Sequence, residues 1–326
     1  MFSFINQRLS IGLRLSVVGA LFVIFAFAVA VIGVMNGNEA INAQQKELRG
    51  ASYVAMIWDY VQSSNLQTQR ANDSLMKGHE VYDAEFDTAK EAKTLIEAPN
   101  NSLRRKAVGP LTVRISNNSG IELDPNSDSY YVGFSYTKDF PLWLVSIDLM
   151  YQAVKLPPSA DRSLAIKMAI DRYKSRKSSL MSDYDSIFRY DKTGLTTAAL
   201  KPKLDALKKA AADLEQAAMD VAANTSADKK DIDFMSYRLA FSKAFTALAQ
   251  ATGDEFVRLA NQHVDGARSS MYMTLLVTLF FVIPSILLII AVTIGLTKRF
   301  AELDKAMTRL GQGDKTVEVP YLDDTN

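Results

Sequence analysis

The sequence predicts an all-α protein that crosses a membrane twice, and three observations support this fold class. Two long apolar runs contain no charged residue, one between Arg14 and Glu39 and the other between Arg268 and Lys298. The region between them repeats apolar residues at intervals of three and four, as amphipathic helices do. No run alternates apolar and polar residues over a length that would predict a sheet.

Composition argues against several classes of function. The chain has 326 residues with 37 Lys and Arg against 36 Asp and Glu, so it has no basic surplus with which to bind nucleic acid. It contains no Cys, which excludes thiol nucleophiles, Cys-ligated metals and disulfides. Its two histidines, His79 and His263, are far apart, which argues against a multi-His metal site or a Ser-His-Asp triad. We therefore expect no metal, no cofactor, no nucleic-acid partner and no enzymatic activity.

Each apolar run is longer than the roughly 20 residues that a helix needs to cross the hydrocarbon core. We predict membrane spans at residues 15–38 and 269–297. A cleaved signal peptide is the alternative for the first run, because Ala28-Val29-Ala30 resembles a cleavage site. The run continues to Met35, beyond the roughly 7–15 residues of a typical signal-peptide core, which favours an uncleaved anchor.

The charges beside the spans predict the orientation. Residues 1–14 are basic without an acid, and Lys298-Arg299 follows the second span. By the positive-inside rule both ends lie in the cytoplasm, and residues 39–268 lie outside.

The outer region predicts a bundle of about six helices. Small or apolar residues from Val54 to Leu75 repeat at helical spacing without Pro, so we predict one helix from Glu39 to about Ala98, on the order of 90 Å long. The last outer helix is predicted to start near Ser226 and to merge into the second span. The clearest apolar stripe comprises Leu200, Leu204, Leu207, Ala211, Leu214, Ala218 and Val221.

Cap residues predict where the other outer helices begin. Ser102 is the predicted N-cap of the second helix, and Asp124 is that of the third, with Pro125 as its first helical residue. Ser159 or Asp161 is predicted to cap the next helix.

A second stripe follows the second span, at Leu296, Phe300, Leu303, Met307 and Leu310, with the spacing of a coiled coil. Gly311-Gln312-Gly313-Asp314 breaks this helix, and residues 317–320 predict an extended connector. The segment TKRFAELDKAMTRLGQGDKTVEVPYLDDTN (297–326) resembles the start of a HAMP domain, with Gly313 and Asp314 as its turn. HAMP domains usually have Pro at the place of Phe300, and they normally continue beyond the equivalent of Asn326 into a second helix. An ordinary helix C-terminus is the alternative for the turn.

The stretch LDPNSDSYY (123–131) is similar to one in the helical sensory domains of bacterial methyl-accepting chemotaxis proteins. Arg49-Gly50, Pro141 and a Gln-x-x-Arg segment ending at Arg70 also match positions typical of those domains. The resemblance implies an extracytoplasmic sensor domain in a receptor of this kind.

Candidate ligand-binding residues follow from this stretch. Asp128, Tyr130 and Tyr131 are predicted to form part of a small-molecule pocket, facing Trp58 or Arg70. The alternatives are structural: tyrosines packed between helices with hydrogen-bonded hydroxyls, Trp58 in the core, and Arg70 on a solvated helix face.

Together these features predict a homodimeric, two-pass receptor in the bacterial inner membrane, with its sensor domain in the periplasm. It would detect an unknown small molecule or protein, and it would signal through the second span and HAMP to a cytoplasmic module beyond Asn326. For a chemotaxis receptor that module would act on the chemotaxis kinase complex. The alternatives are the sensor portion of a membrane-bound histidine kinase or cyclic-di-nucleotide synthase, and a structural membrane protein without an output module.

Overall fold

The computed structural model describes residues 11–62, 68–224, 233–314 and 316–318, and within these ranges every regular element is a helix. In chain order the α-helices are α1 (Ile11–Gln62), α2 (Thr68–Phe86), α3 (Ala89–Ile96), α4 (Asn101–Ser119), α5 (Ser127–Phe134), α6 (Phe140–Val154), α7 (Ala160–Tyr190), α8 (Leu195–Ala223) and α9 (Phe234–Gly311). A 3-10 turn (Ile121–Leu123) precedes α5, and a π-helical turn (Ser135–Asp139) joins α5 to α6. The predicted all-α fold class is confirmed. The bundle between two membrane helices and the HAMP start remain predictions.

The chain divides into two compact units, Met1–Ala40 with Gly266–Asn326, and Ile41–Asp265. The first unit contains both predicted spans. Helices α1 and α9 are each long and apolar enough to cross a membrane. Their apolar side chains point outward, with Phe25 68% and Phe280 72% exposed, as expected of side chains that contact lipid.

Small residues bring the two apolar helices of the first unit together. A Cβ atom added at Gly33 would lie 3.0 Å from the Cγ2 atom of Thr274, and one added at Gly37 would lie 3.2 Å from the Cβ atom of Met271. The contacts run in opposite directions along the two segments, which are therefore antiparallel. Glycine permits this close backbone approach, which is a common way for helices to pack in membranes.

An aromatic cluster forms the centre of the second unit. Trp143 on α6 is fully buried, and its ring centroid lies 5.5 Å from that of Tyr173 on α7 and 5.2 Å from that of Phe241 on α9. Phe245, one turn further along α9, contacts Trp143 at 5.9 Å and Trp58 of α1 at 6.1 Å. This aromatic cluster therefore joins α1, α6, α7 and α9.

The apolar stripe predicted from Leu200 to Val221 is confirmed by burial, and α9 has a buried apolar face as well. All seven stripe residues of α8 are buried, as are Phe241, Phe245, Leu248, Phe256 and Leu259 of α9. The predicted start near Ser226 lies outside the described residues, and α9 begins at Phe234.

The prediction of one helix from Glu39 to Ala98 is wrong. The hydroxyl of Tyr53 donates a hydrogen bond of 2.5 Å to Oδ1 of Asp83, whereas a single straight helix would separate these residues by about 45 Å. Arg49 and Glu85 form an ion pair at 2.7 Å, so α2 runs back along α1. Two separate helices that pack on the same core show the same spacing of apolar residues as one long helix. The sequence pattern therefore cannot distinguish the two arrangements.

The predicted start of the third helix is also wrong. Helix α5 begins at Ser127 after Pro125, and Asn126 occupies the N-cap position. The carboxylate of Asp124 instead accepts hydrogen bonds from the backbone N–H of Asn126 at 2.9 Å and from the hydroxyl of Ser129 at 2.5 Å. Asp124 therefore fixes the loop before the helix.

Two other predicted caps have different outcomes. Asn100, and not Ser102, caps α4, because its side chain accepts from the backbone N–H of Leu103 at 3.0 Å. Ser159 caps α7 as predicted, since its hydroxyl accepts from the backbone N–H of Arg162 at 3.0 Å.

Helix α9 ends where the sequence predicts a break. Gly313 has φ of +92°, its N–H bonds to the carbonyl of Leu310 at 3.0 Å, and the N–H of Asp314 bonds to that of Arg309 at 3.2 Å. These two bonds define a Schellman helix C-terminus. The predicted coiled-coil stripe before it is half-buried at Leu296 and exposed at Phe300, Leu303, Met307 and Leu310.

Truncating the centre of the aromatic cluster tests its importance. We expect Trp143→Ala to lower the free energy of unfolding by about 3–5 kcal/mol, because it removes a fully buried ring and leaves a cavity. Leu164→Ala on α7 is the control, since Leu164 is 60% exposed. Denaturant unfolding of the full chain in detergent, followed by circular dichroism, measures both. Equal losses in the two variants would contradict this account of the core.

Candidate functional site

A polar cavity of about 580 Å³ lies where α5 begins, α7 ends and α9 passes. Its chemistry comes from side chains at those helix ends, from the connection between α7 and α8, and from α9. The residues that bear on its function are Asp128, Tyr190, Asp191, Thr196, Gln262 and His263.

Asp128 and His263 connect the two sides of this cavity. Nε2 of His263 on α9 lies 3.1 Å from Oδ1 of Asp128 in the first turn of α5. Both side chains are partly exposed, at 23% for His263 and 34% for Asp128, so they remain accessible to a ligand. A histidine in such a pair changes its charge with protonation, so the strength of the connection depends on the state of the imidazole.

The loop between α7 and α8 is held by Asp191. Its Oδ2 atom accepts from the backbone N–H and hydroxyl of Thr197 at 2.8 and 2.7 Å, and its Oδ1 atom accepts from the N–H groups of Thr193 and Gly194. Burial raises the pKa of Asp191, but these hydrogen bonds outweigh it and hold the pKa below its usual value. Gly194 has φ of +75°, a conformation that other residues adopt only with strain. The cavity therefore has one preorganised wall.

A second network joins the start of α8 to α9. Nη2 of Arg258 lies 2.6 Å from Oε1 of the buried Glu255, and the hydroxyl of Thr196 donates to the same oxygen at 2.5 Å. The hydrogen bond with Glu255 raises the pKa of Arg258 most, and the carboxylates of Asp191 and Asp128 raise it further. Carboxylates of α5, of the loop between α7 and α8 and of α9 therefore act together on Arg258.

The structure places the predicted tyrosines beside the cavity. Tyr131 stacks on Tyr190, which lines the cavity, with ring centroids 5.6 Å apart and planes 8° apart. Tyr130 meets Tyr131 edge-on at 5.0 Å and Phe134 at 5.7 Å. Of the predicted ligand residues, Asp128 lines the cavity directly, and the two tyrosines form an aromatic layer next to it.

Trp58 lies elsewhere. It is 3% exposed and lines a separate cavity of about 340 Å³ together with Tyr136 and Gly253. The structure therefore does not place Trp58 in the wall of the cavity that contains Asp128. Arg70 belongs to α2, but its side chain lies outside the described part of the chain.

Several residues of the cavity were not among the predicted ligand contacts. These residues are Tyr190, Asp191, Thr196 and His263. A short polar loop between two helical patterns can be recognised in the sequence at Asp191-Lys192-Thr193-Gly194. This loop predicts side chains close to the ends of neighbouring helices.

A pair of carboxyl groups, one buried and the other half-buried, lies near Tyr130. Asp183 on α7 contacts Asp139 of the π-helical turn, and the Oδ2 atoms of both are buried without a conventional donor. Burial and the hydrogen bond with Asp139 raise the pKa of Asp183 to about 8, although Ser135 and Lys138 act in the opposite direction. At neutral pH the carboxyl group of Asp183 therefore holds a proton.

No protein-family model, curated protein or solved structure matches this chain.

The carboxyl pair predicts how stability depends on pH. The pKa of Asp183 rises from 3.8 to about 8 on folding, so between these values the folded state holds a proton that the unfolded state has lost. Stability from this group is present at low pH and is lost as the pH rises through about 8. Asp183→Asn removes this dependence.

The measurement is the melting temperature of the full chain between pH 6 and pH 9. We expect the wild type to lose about 3 °C more than Asp183→Asn over this range. Burial also raises the pKa of Glu47 to about 8, so both proteins keep some dependence of the melting temperature on pH. The exposed Asp185→Asn is the control. If Asp183→Asn follows the wild-type curve, the raised pKa of Asp183 is disproved.

Proposed function

We propose that this chain is the sensing and membrane-spanning part of a transmembrane receptor of the methyl-accepting chemotaxis type. The observation that most supports this proposal is that α9 is one continuous helix from the cavity to the apolar run. Its residues Leu259, Gln262 and His263 line the polar cavity, and the same helix contains the apolar run predicted as the second span. A ligand in the cavity would therefore contact the helix that enters the membrane.

The ligand would act through the pair of Asp128 and His263. A small polar molecule that inserts between them replaces their direct contact and changes how α9 packs against the start of α5. Packed helices have discrete arrangements, so a small shift biases two states rather than deforming one continuously. The coupling required is modest, typically about 1–3 kcal/mol.

The other features of the proposal have separate support. The exposed stripe at Phe300, Leu303, Met307 and Leu310 needs a partner surface, which a second copy of the chain would supply in a homodimer. The basic residues at Lys298-Arg299 support cytoplasmic ends and a periplasmic sensor domain. A histidine kinase or cyclic-di-nucleotide synthase would use the same sensing end.

Ligand binding is tested with the full chain in lipid nanodiscs by thermal shift against amino acids, organic acids and amines. A ligand at 100 times its Kd stabilises the folded state by about 2.7 kcal/mol. We expect any such gain to be reduced in Asp128→Asn and in His263→Gln, and to be retained in the exposed control Asp185→Asn. Equal stabilisation of all four proteins would exclude the cavity as the binding site.

Signalling is tested by joining residues 1–326 to the kinase-controlling region of a known chemotaxis receptor. Inserting one alanine after Lys298 rotates the following stripe by about 100°, and we expect it to change the kinase output strongly. A seven-residue helical insertion is the control, because it restores the heptad phase. Unchanged output with the single alanine would count against transmission through this helix.

A further inference from the structure

A second polar cavity, of about 540 Å³, is formed by residues at the start of α4, the end of α6 and the start of α9. Three cationic side chains line it, Arg105 from α4, Lys155 just after α6 and Arg238 from α9. Asp148 is the one acidic residue among those that line it. Positive charge from three separate parts of the chain therefore converges on one cavity.

Two side chains of α4 already bind the carboxylate of Asp148. Nη1 of Arg105 lies 2.8 Å from Oδ1 of Asp148, and the hydroxyl of Ser102 donates to Oδ2 at 2.5 Å. Asp148 is 2% exposed, so these two contacts occupy its carboxylate within the protein. Asp148 therefore neutralises Arg105, whereas the positive charges of Lys155 and Arg238 remain.

Arg238 and Lys155 are both held against Tyr151. The guanidinium carbon of Arg238 lies 3.7 Å from the ring centroid, and Nζ of Lys155 lies 4.3 Å from it. Neither cation has a carboxylate within 4.0 Å among the residues that the structure describes. Cation–π contact holds both groups in place without neutralising either.

The surroundings of Arg238 disfavour its charge. Burial lowers the pKa of Arg238, and repulsion from Arg105 lowers it further, whereas Tyr151 and Asp148 compensate in part. An anion placed between these cations would remove this cost.

We propose that this cavity binds a small dianion. Three cations against one carboxylate leave two positive charges, which two negative charges on a ligand would balance. The remaining lining is uncharged, with the side-chain amide of Gln152 able to donate a hydrogen bond to an anion, and the N-terminus of α4, whose dipole favours negative charge, lies at the cavity. A dicarboxylate and an inorganic sulfate or phosphate share this chemistry. The site shares no residue with the cavity of Asp128, so the proposal stands independently of the receptor function.

The test is isothermal titration calorimetry of the full chain in nanodiscs with four probes: succinate, sulfate, butyrate and succinamide. We expect at least one of the two dianions to bind, butyrate to bind at least about tenfold more weakly, and neutral succinamide not to bind. Binding of sulfate alone identifies an inorganic anion as the ligand class, and binding of succinate alone identifies a dicarboxylate. Absence of binding by both dianions overturns the proposal.

Variants locate the bound anion. We expect Arg238→Gln to weaken dianion binding by at least about tenfold, because it removes a charged group that faces the cavity. Lys155→Gln is the second variant, since its exposed side chain can be replaced without disturbing the fold. Arg176→Gln is the control, as Arg176 is exposed on α7 and does not line the cavity. Wild-type affinity in both Arg238→Gln and Lys155→Gln would overturn the assignment.

Discussion

The packing of aromatic rings around Trp143 is the constraint on which the rest of the second unit depends. Close-packed interiors accept few alternative arrangements, so the contacts of Trp143 with Phe241 and Phe245 fix the path of α9 relative to α6 and α7. Helix α9 contributes residues to both polar cavities, to one before these rings in the chain and to the other after them. Arg238 precedes them in the chain and His263 follows them, so one apolar cluster positions both groups.

Charged side chains line both of these cavities. Asp191 and Glu255 are satisfied by neighbouring N–H, hydroxyl and guanidinium donors, which makes their surroundings stiff. The pair of Asp128 and His263 is partly exposed and consists of a single contact between two elements. In physical terms a ligand or a proton can alter such a contact most readily, whereas the saturated groups provide the fixed frame around it.

Helical periodicity predicted the fold class and the buried face of α8, because burial on one side of a long helix leaves a direct trace in the sequence. It could not predict that α2 folds back on α1, since the contact of Tyr53 with Asp83 joins residues whose own neighbourhoods both look helical. For the same reason the local stretch around Tyr130 indicated Asp128 but not His263. The cluster around Arg238 arises from three distant segments, and only the tertiary structure brings them together.

The most direct test of the account is the side of the membrane on which each segment lies. The chain contains no Cys, so Ser175→Cys on α7 and Ala301→Cys after the predicted second span each introduce a single exposed thiol. Both variants are labelled with a membrane-impermeant maleimide in cells whose inner membrane is intact. The account predicts that Ser175→Cys reacts in these cells and that Ala301→Cys reacts only after lysis. Labelling of both, or the reverse pattern, would contradict an outward-facing sensor domain.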